Sequence, residues 1–186
     1  MGIGRVEHLK LRGHVKVEVW TPGRDVPDAV TENNNVLCWN GLTALVNAVN
    51  WSGIEDQNLN MGAPFSPSFL APMYGAVGTG TTPVDSSDST LATEVARGIV
   101  TAGGPLAASP SVNPMVTWLF LIAAPLASVD YGLGVGNGWS ITEAGVFVQA
   151  LDLVDDGALL NHVLLYPVSQ SIGQVVTLTV SIEMGN

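Results

Sequence analysis

A two-residue period near the end of the chain constrains the fold more than any other feature. In residues 171–184, Val176, Leu178, Val180 and Ile182 fall on one side and Thr177, Thr179, Ser181 and Glu183 on the other, the alternation of a strand with one buried face. Residues 5–20 repeat the pattern, with Val15, Val17 and Val19 opposing His14, Lys16 and Glu18, and Gly13 marking a bulge or bend. Further strands are expected at Met73–Val77, Met115–Ala123, Ser140–Leu153 and Ala158–Tyr166. Leu91–Val100 is expected to open as a helical turn and continue as a strand. Asn137-Gly138 and Asp156-Gly157 are turn dipeptides, the second a strong hairpin signal.

One helix is expected. Over residues 40–50, Leu42, Leu45, Val46 and Val49 share a face, and Asn40 is placed to cap the N-terminus. Thr21–Asp28 is turn chemistry, Asn33–Asn35 lead into the helix, and Trp51–Pro72 and Gly103–Pro114 read as long loops. No repeat and no linker divides the chain. Six to eight antiparallel strands with one short helix and long loops predict a mainly β fold, an antiparallel β-sandwich with the jelly roll among its arrangements. Residues 1–24 read as a basic N-terminal arm or strand, and residues 25–186 as a single sandwich domain.

Charge divides the chain at the same place. Five of the six cations, Arg5, Lys10, Arg12, Lys16 and Arg24, fall in the first 24 residues, whereas beyond them Arg97 stands alone against 14 carboxylates. Only 12% of the residues are charged and 47% are hydrophobic, with a mean hydropathy of +0.35. So little charge leaves much surface suited to burial against other subunits. A pI near 4.3 argues against nucleic acid, because residues 25–186 offer no cationic face for phosphate. No membrane partner is expected: the most apolar run, Met115–Ala127, has 13 residues, short of the roughly 20 that span a bilayer, and reads as a buried strand. The first residues carry no apolar signal-peptide core, which implies synthesis in the cytoplasm.

The motifs also come in a recognisable order. An alternating first strand is followed by an Asn-rich stretch before Gly41, then by Tyr74-Gly75-Ala76-Val77-Gly78-Thr79-Gly80-Thr81-Thr82-Pro83. Next come Ser89-Thr90-Leu91-Ala92-Thr93-Glu94 with Arg97, Thr142-Glu143-Ala144-Gly145-Val146-Phe147, and two alternating strands. From about residue 14 onward this order resembles small virion proteins of tailed bacteriophages, which serve as tail, baseplate, fibre-base or head-decoration components. The long loops Trp51–Pro72 and Thr101–Pro114 depart from that pattern. The resemblance implies a non-enzymatic structural protein of the virion, made in the host cytoplasm, assembling in symmetric copies with itself and with other virion proteins. Tail, baseplate or fibre-base is the first placement and head decoration the second; a module at the particle tip that binds a host-surface glycan or receptor is the rival.

Chemistry is sparse. Gly78-Thr79-Gly80 lacks the Lys-Ser/Thr pair and the βαβ setting of a nucleotide loop and reads as a tight turn. His8, His14 and His162 lack metal-ligand spacing and read as solvated or partly packed. Asp85, Asp88, Asp155 and Asp156 lack EF-hand spacing and read as exposed acidic turns. Glu55 and Asp56 with Glu143 are the candidate carboxylates for glycoside cleavage, in a domain small for such a groove. Cys38, the single cysteine, reads as buried packing beside Trp39. No catalytic, cofactor or metal residue is assigned.

The interaction and structural candidates are Arg97, Glu143, Glu94, Trp51 and the cations Arg5, Lys10, Arg12, Lys16 and Arg24. Trp51, beside the long loop, reads as core or as a subunit contact. Trp20, Trp39, Trp118 and Trp139 read as core or interface anchors, with a sugar-stacking platform as a further option. Glu143 lies in an apolar strand, and alternation sets it beside Ile141, Gly145 and Phe147 on a face expected to look inward. Its charge needs compensation there. Arg97 can supply it directly, or Arg97 can pair Glu94 or another carboxylate at a subunit junction. Alternatively, backbone and hydroxyl donors satisfy Glu143 and Arg97 lies at the surface.

Overall fold

The computed structural model describes residues 10–44, 73–106, 115–122, 138–150 and 153–185. Eight strands make up the wall of the fold: β1 (Lys10–Trp20), β2 (Ala29–Leu37), β3 (Met73–Gly78), β4 (Glu94–Leu106), β5 (Met115–Ile122), β6 (Trp139–Val148), β7 (Ala158–Gln170) and β8 (Val175–Gly185). All pairings are antiparallel, and the order β1-β2-β7-β6-β3-β4-β5-β8 returns to β1 to close a barrel. The expected sandwich is therefore corrected. A sandwich would leave two separate sheets, whereas here β2 pairs with both β1 and β7 and β4 with both β3 and β5, which joins the described strands into one closed wall.

The alternation of β1 and β8 does what their sequences require. Val15, Val17 and Val19 on β1 and Val176, Leu178, Val180 and Ile182 on β8 point into the lumen with Phe120 and Ile122 of β5. Residues 10–20 are thus a full barrel strand flanked by β2 and β8; residues 1–9, including Arg5, lie outside the described residues. Leu119 alternates outward from Phe120 and is 37% exposed, so β5 is half-buried rather than buried on both faces.

β2 is not among the expected strands: Thr31 to Asn35 pair with Gly13 to Val17 despite their polarity, in place of the expected lead into the helix at Asn33–Asn35. β4 begins at Glu94 without a helical turn and continues through Gly103 to Leu106, paired with β5, in place of the loop expected from Gly103. The helix starts at Trp39 and is described through residue 44. Leu42 N–H donates to Cys38 O at 3.0 Å, so Cys38 rather than Asn40 stands at its start. Between β6 and β7 the chain makes a turn in which Asp156 N–H donates to Leu153 O at 3.2 Å and Gly157 takes a positive φ of 91°. The Asp-Gly signal marks this connection, which is longer than a two-residue hairpin.

A second, smaller core lies on the outer face of the β3, β6 and β7 wall. Ala76, Phe147, Leu159, Leu91, Cys38 and Ala150 pack there, with Tyr74 against them. Gly75, one residue from Ala76, faces Phe120 and Leu178 across the lumen, which fixes the two sides. The segment from Gly80 to Thr93 borders this outer layer, where its residues bond the buried Glu143 and His162.

Candidate functional site

Glu143 is fully buried, but its face is the opposite of the one expected. Ala144, Val146 and Val148 line the lumen, so Phe147 and the carboxylate of Glu143 point into the outer layer. Ile141 escapes the alternation and joins the lumen because the β6–β7 register shifts between Ile141 and Glu143. Three backbone amides converge on the carboxylate: Gly80 N–H donates to Oε1 at 2.8 Å, Thr93 N–H to Oε1 at 2.7 Å and Ala92 N–H to Oε2 at 3.0 Å. His162 Nε2 reaches Oε2 at 2.9 Å. Gly78 and Gly80 make the approach possible, since a β-carbon at either would collide with Glu143 Oε1. Gly80 of the Gly-Thr-Gly segment, together with Ala92 and Thr93, thus cradles an anion that is the chain's own carboxylate. Thr142 adds a tie by donating its hydroxyl to Gly80 O at 2.7 Å.

His162 was expected to be solvated or partly packed; it is buried, between two carboxylates. Its Nδ1 lies 2.7 Å from Asp88 Oδ2, and Asp88 in turn accepts from Asp85 N–H at 2.9 Å. Ionised carboxylates only accept hydrogen bonds, so the two contacts favour the form of the ring with a proton on each nitrogen, the imidazolium. Burial opposes that charge, but the bonds and charges of Glu143 and Asp88 outweigh it and raise the His162 pKa above the ordinary 6.5. Burial likewise pushes Glu143 up, and the hydrogen bonds from His162, Thr93, Ala92 and Gly80 reverse it, leaving its pKa below the ordinary 4.5. Bonded at both ring nitrogens, His162 holds the Asp88 segment against β6.

The two shifts predict a stability window. Glu143, lowered, contributes stability that is complete above about pH 4.5 and is lost as pH falls through its folded value. His162, raised, contributes stability that is complete below about pH 6.5 and is lost as pH rises through its folded value. Thermal melting across pH should therefore peak between those limits, and His162→Asn should remove the alkaline decline. A decline unchanged in that variant would refute the assignment.

Arg97 does not bond Glu143. Its Nε and Nη2 donate to Glu94 Oε1 and Oε2 at 2.6 and 2.7 Å, and both side chains are 0% exposed. The pair lies within one chain, three residues apart on β4, rather than at a subunit junction or on the surface. The guanidinium stacks 4.6 Å from the Phe147 ring centroid and 5.9 Å from that of Tyr74. Nη1 donates to Asp156 O at 3.2 Å, and Glu94 Oε2 accepts from Asp155 N–H at 3.1 Å, which fastens the β6–β7 turn to β4.

The basic residues are not brought to this site. Lys16 pairs with Glu18 at 2.7 Å and Arg24 with Asp28 at 2.6 Å, both solvent-accessible contacts of small energetic weight. Arg12 is exposed and its backbone pairs with Glu183 of β8; Lys10 opens β1. Trp51, Arg5, Glu55 and Asp56 lie outside the described residues. Burial pushes the Cys38 thiol up to about 12, with the charges of Asp88 and Asp85 adding to the effect, which suits packing rather than nucleophilic attack.

Asp88 and His162 were not legible as partners of Glu143. The available signal was Asn161-His162, a polar pair interrupting the apolar run of β7. Asn161 fills the role of a strand partner, its Oδ1 accepting from Val146 N–H at 2.8 Å where the β6–β7 register shifts again.

Above the imidazolium is an open pocket of about 280 Å³ lined by Thr82, Pro83, Ser87, Asp88, Ser89, Thr90, Leu91, Ala92 and His162. Ser87 donates from both N–H and hydroxyl to Asp85 Oδ1, at 2.8 and 2.7 Å, giving this wall a defined shape. Compared with known proteins, the chain matches no family model, no curated protein and no solved structure.

Proposed function

We propose that the chain is a non-enzymatic structural component of a tailed bacteriophage particle. One observation carries this reading. The three internal segments named in the sequence resemblance meet in two fold-holding clusters: Gly80, Ala92 and Thr93 with Thr142 and Glu143, and Glu94 and Arg97 with Phe147. Groups saturated by each other hold loops in place and leave no reactive pair. The shared pattern is therefore that of a scaffold, which favours structural proteins over catalysts.

The low charge and outward apolar side chains support assembly with other copies and other virion proteins. Ile99 on β4 is 51% exposed and Leu119 on the neighbouring β5 also faces out. The apolar lumen and the polar outer residues of β1 and β8 are the reverse of a membrane-spanning barrel, so no membrane partner is proposed, and net acidity disfavours nucleic acid. A tail, baseplate or fibre-base position is the first assignment and head decoration the alternative. Sedimentation of the purified chain should give a multiple of its 19.4 kDa mass, and the barrel should fit repeated density in an electron-microscopy map of the particle that carries it. A stable monomer, or a particle map without such density, would overturn the reading.

A further inference from the structure

We infer that the pocket above His162 binds a neutral sugar, with Trp39 as the stacking face beside it. The wall of the pocket is hydroxyl-rich: Thr82, Ser89 and Thr90 contribute alcohols, Ser87 contributes one that already donates to Asp85 and can only accept, and Asp88 contributes a carboxylate that only accepts. Asp88 keeps 26% of its side chain exposed while its inner edge is tied to His162, so it is held in orientation before any ligand arrives. Such a wall matches a ring bearing several adjacent hydroxyl groups. At about 280 Å³, just below the roughly 300–1,000 Å³ of pockets for drug-sized ligands, it suits one sugar ring, with the rest of a glycan running over the surface.

Trp39 lies outside the pocket lining but is tied to the residue next to it. Its backbone N–H donates to Ser86 O at 2.8 Å and its indole Nε1–H to Ser86 Oγ at 3.0 Å, one residue from the pocket-lining Ser87. The indole is therefore fixed in place while 64% of the residue remains exposed. A large ring locked at its polar tip and open to water is a platform for the apolar C–H face of a pyranose. Charge selects among sugars. The pocket wall holds no lysine or arginine, and the imidazolium of His162 is already shared by two carboxylates, so an acidic sugar would meet Asp88 unpaired. The ligand class is a neutral hexose or N-acetylhexosamine terminus.

This inference stands apart from the virion reading, because sugar binding and incorporation into particles are measured separately. The full chain is applied to an array of immobilised oligosaccharides ending in glucose, galactose, mannose or N-acetylglucosamine, alongside sialylated and uronate-bearing ones. Binding is expected on neutral glycans alone, at least tenfold weaker for Trp39→Ala and for Thr90→Val, and retained by Trp39→Phe. Melting temperature is recorded for each variant, and Thr90→Val decides the matter if Trp39→Ala is destabilised. No binding to any neutral glycan, equal binding to acidic ones, or parent-like affinity in both Trp39→Ala and Thr90→Val would overturn it.

Discussion

Arg97→Ala is expected to lower folding stability by about 3–5 kcal/mol, the usual cost of removing one partner from a buried ion pair. The size follows from what remains. Glu94 is 0% exposed at its side chain and would keep the Asp155 amide at 3.1 Å as a donor while losing both guanidinium bonds. The Phe147 and Tyr74 rings would lose the cation stacked on them, and Asp156 O would lose a donor. Urea denaturation should show a lower midpoint at an unchanged slope. Replacing both partners, as Glu94→Leu with Arg97→Met, should cost less than Arg97→Ala alone, because no buried charge is stranded. A loss below about 1 kcal/mol for Arg97→Ala, the range of exposed pairs, would mean that the pair is not buried in solution.

Glu143→Ala should be of similar or greater effect. Three backbone amides and His162 Nε2 would lose their common acceptor, and each buried donor left unsatisfied costs about 1–3 kcal/mol. A loss of at least about 3 kcal/mol is expected on that basis, large against the roughly 5–15 kcal/mol total of an ordinary domain. Glu143→Gln should be milder, since the amide oxygen still accepts from Gly80 and Thr93, while its NH₂ group faces the Ala92 amide. Urea melts of both variants should rank alanine below glutamine below the parent. Equal stability of the alanine variant would exclude Glu143 as the organising acceptor.

These two clusters also mark where sequence reasoning worked and where it stopped. The faces of β1 and β8 were legible because valine and leucine alternate with polar residues without a break. β2 was not, because Thr31-Glu32-Asn33-Asn34-Asn35 has little apolar contrast, and its pairing with β1 overrides propensity. Closure into a barrel was hidden for a different reason: period two gives each strand a face but no neighbour. Glu143 was legible as a residue needing compensation, but its donors come from 63, 51, 50 and 19 residues away. Their identities follow from topology, and because β6 is buried on both faces, alternation could group Glu143 with Gly145 and Phe147 without telling the lumen from the outer layer; the register shift moved only Ile141 away from them. Arg97 and Glu94 meet because the β3–β4 register shifts between Val77 and Gly78; on a regular strand residues three apart point to opposite faces, so their pairing within one chain was not legible.

The β1–β8 seam bears on the order in which the molecule is built. Residues 10–20 pair along their whole length with residues 175–185, so the first described strand has one of its two neighbours among the last. During synthesis β1 can zip to β2 as soon as both have emerged, yet one side of that hairpin stays open until nearly the entire sequence is available. Contacts of such large separation in sequence are slow to form, and an open, valine-rich strand edge is prone to pairing with another chain in the meantime. The last strand therefore acts as the latch, and its arrival ends the interval in which nascent copies can pair with one another through the wrong edges.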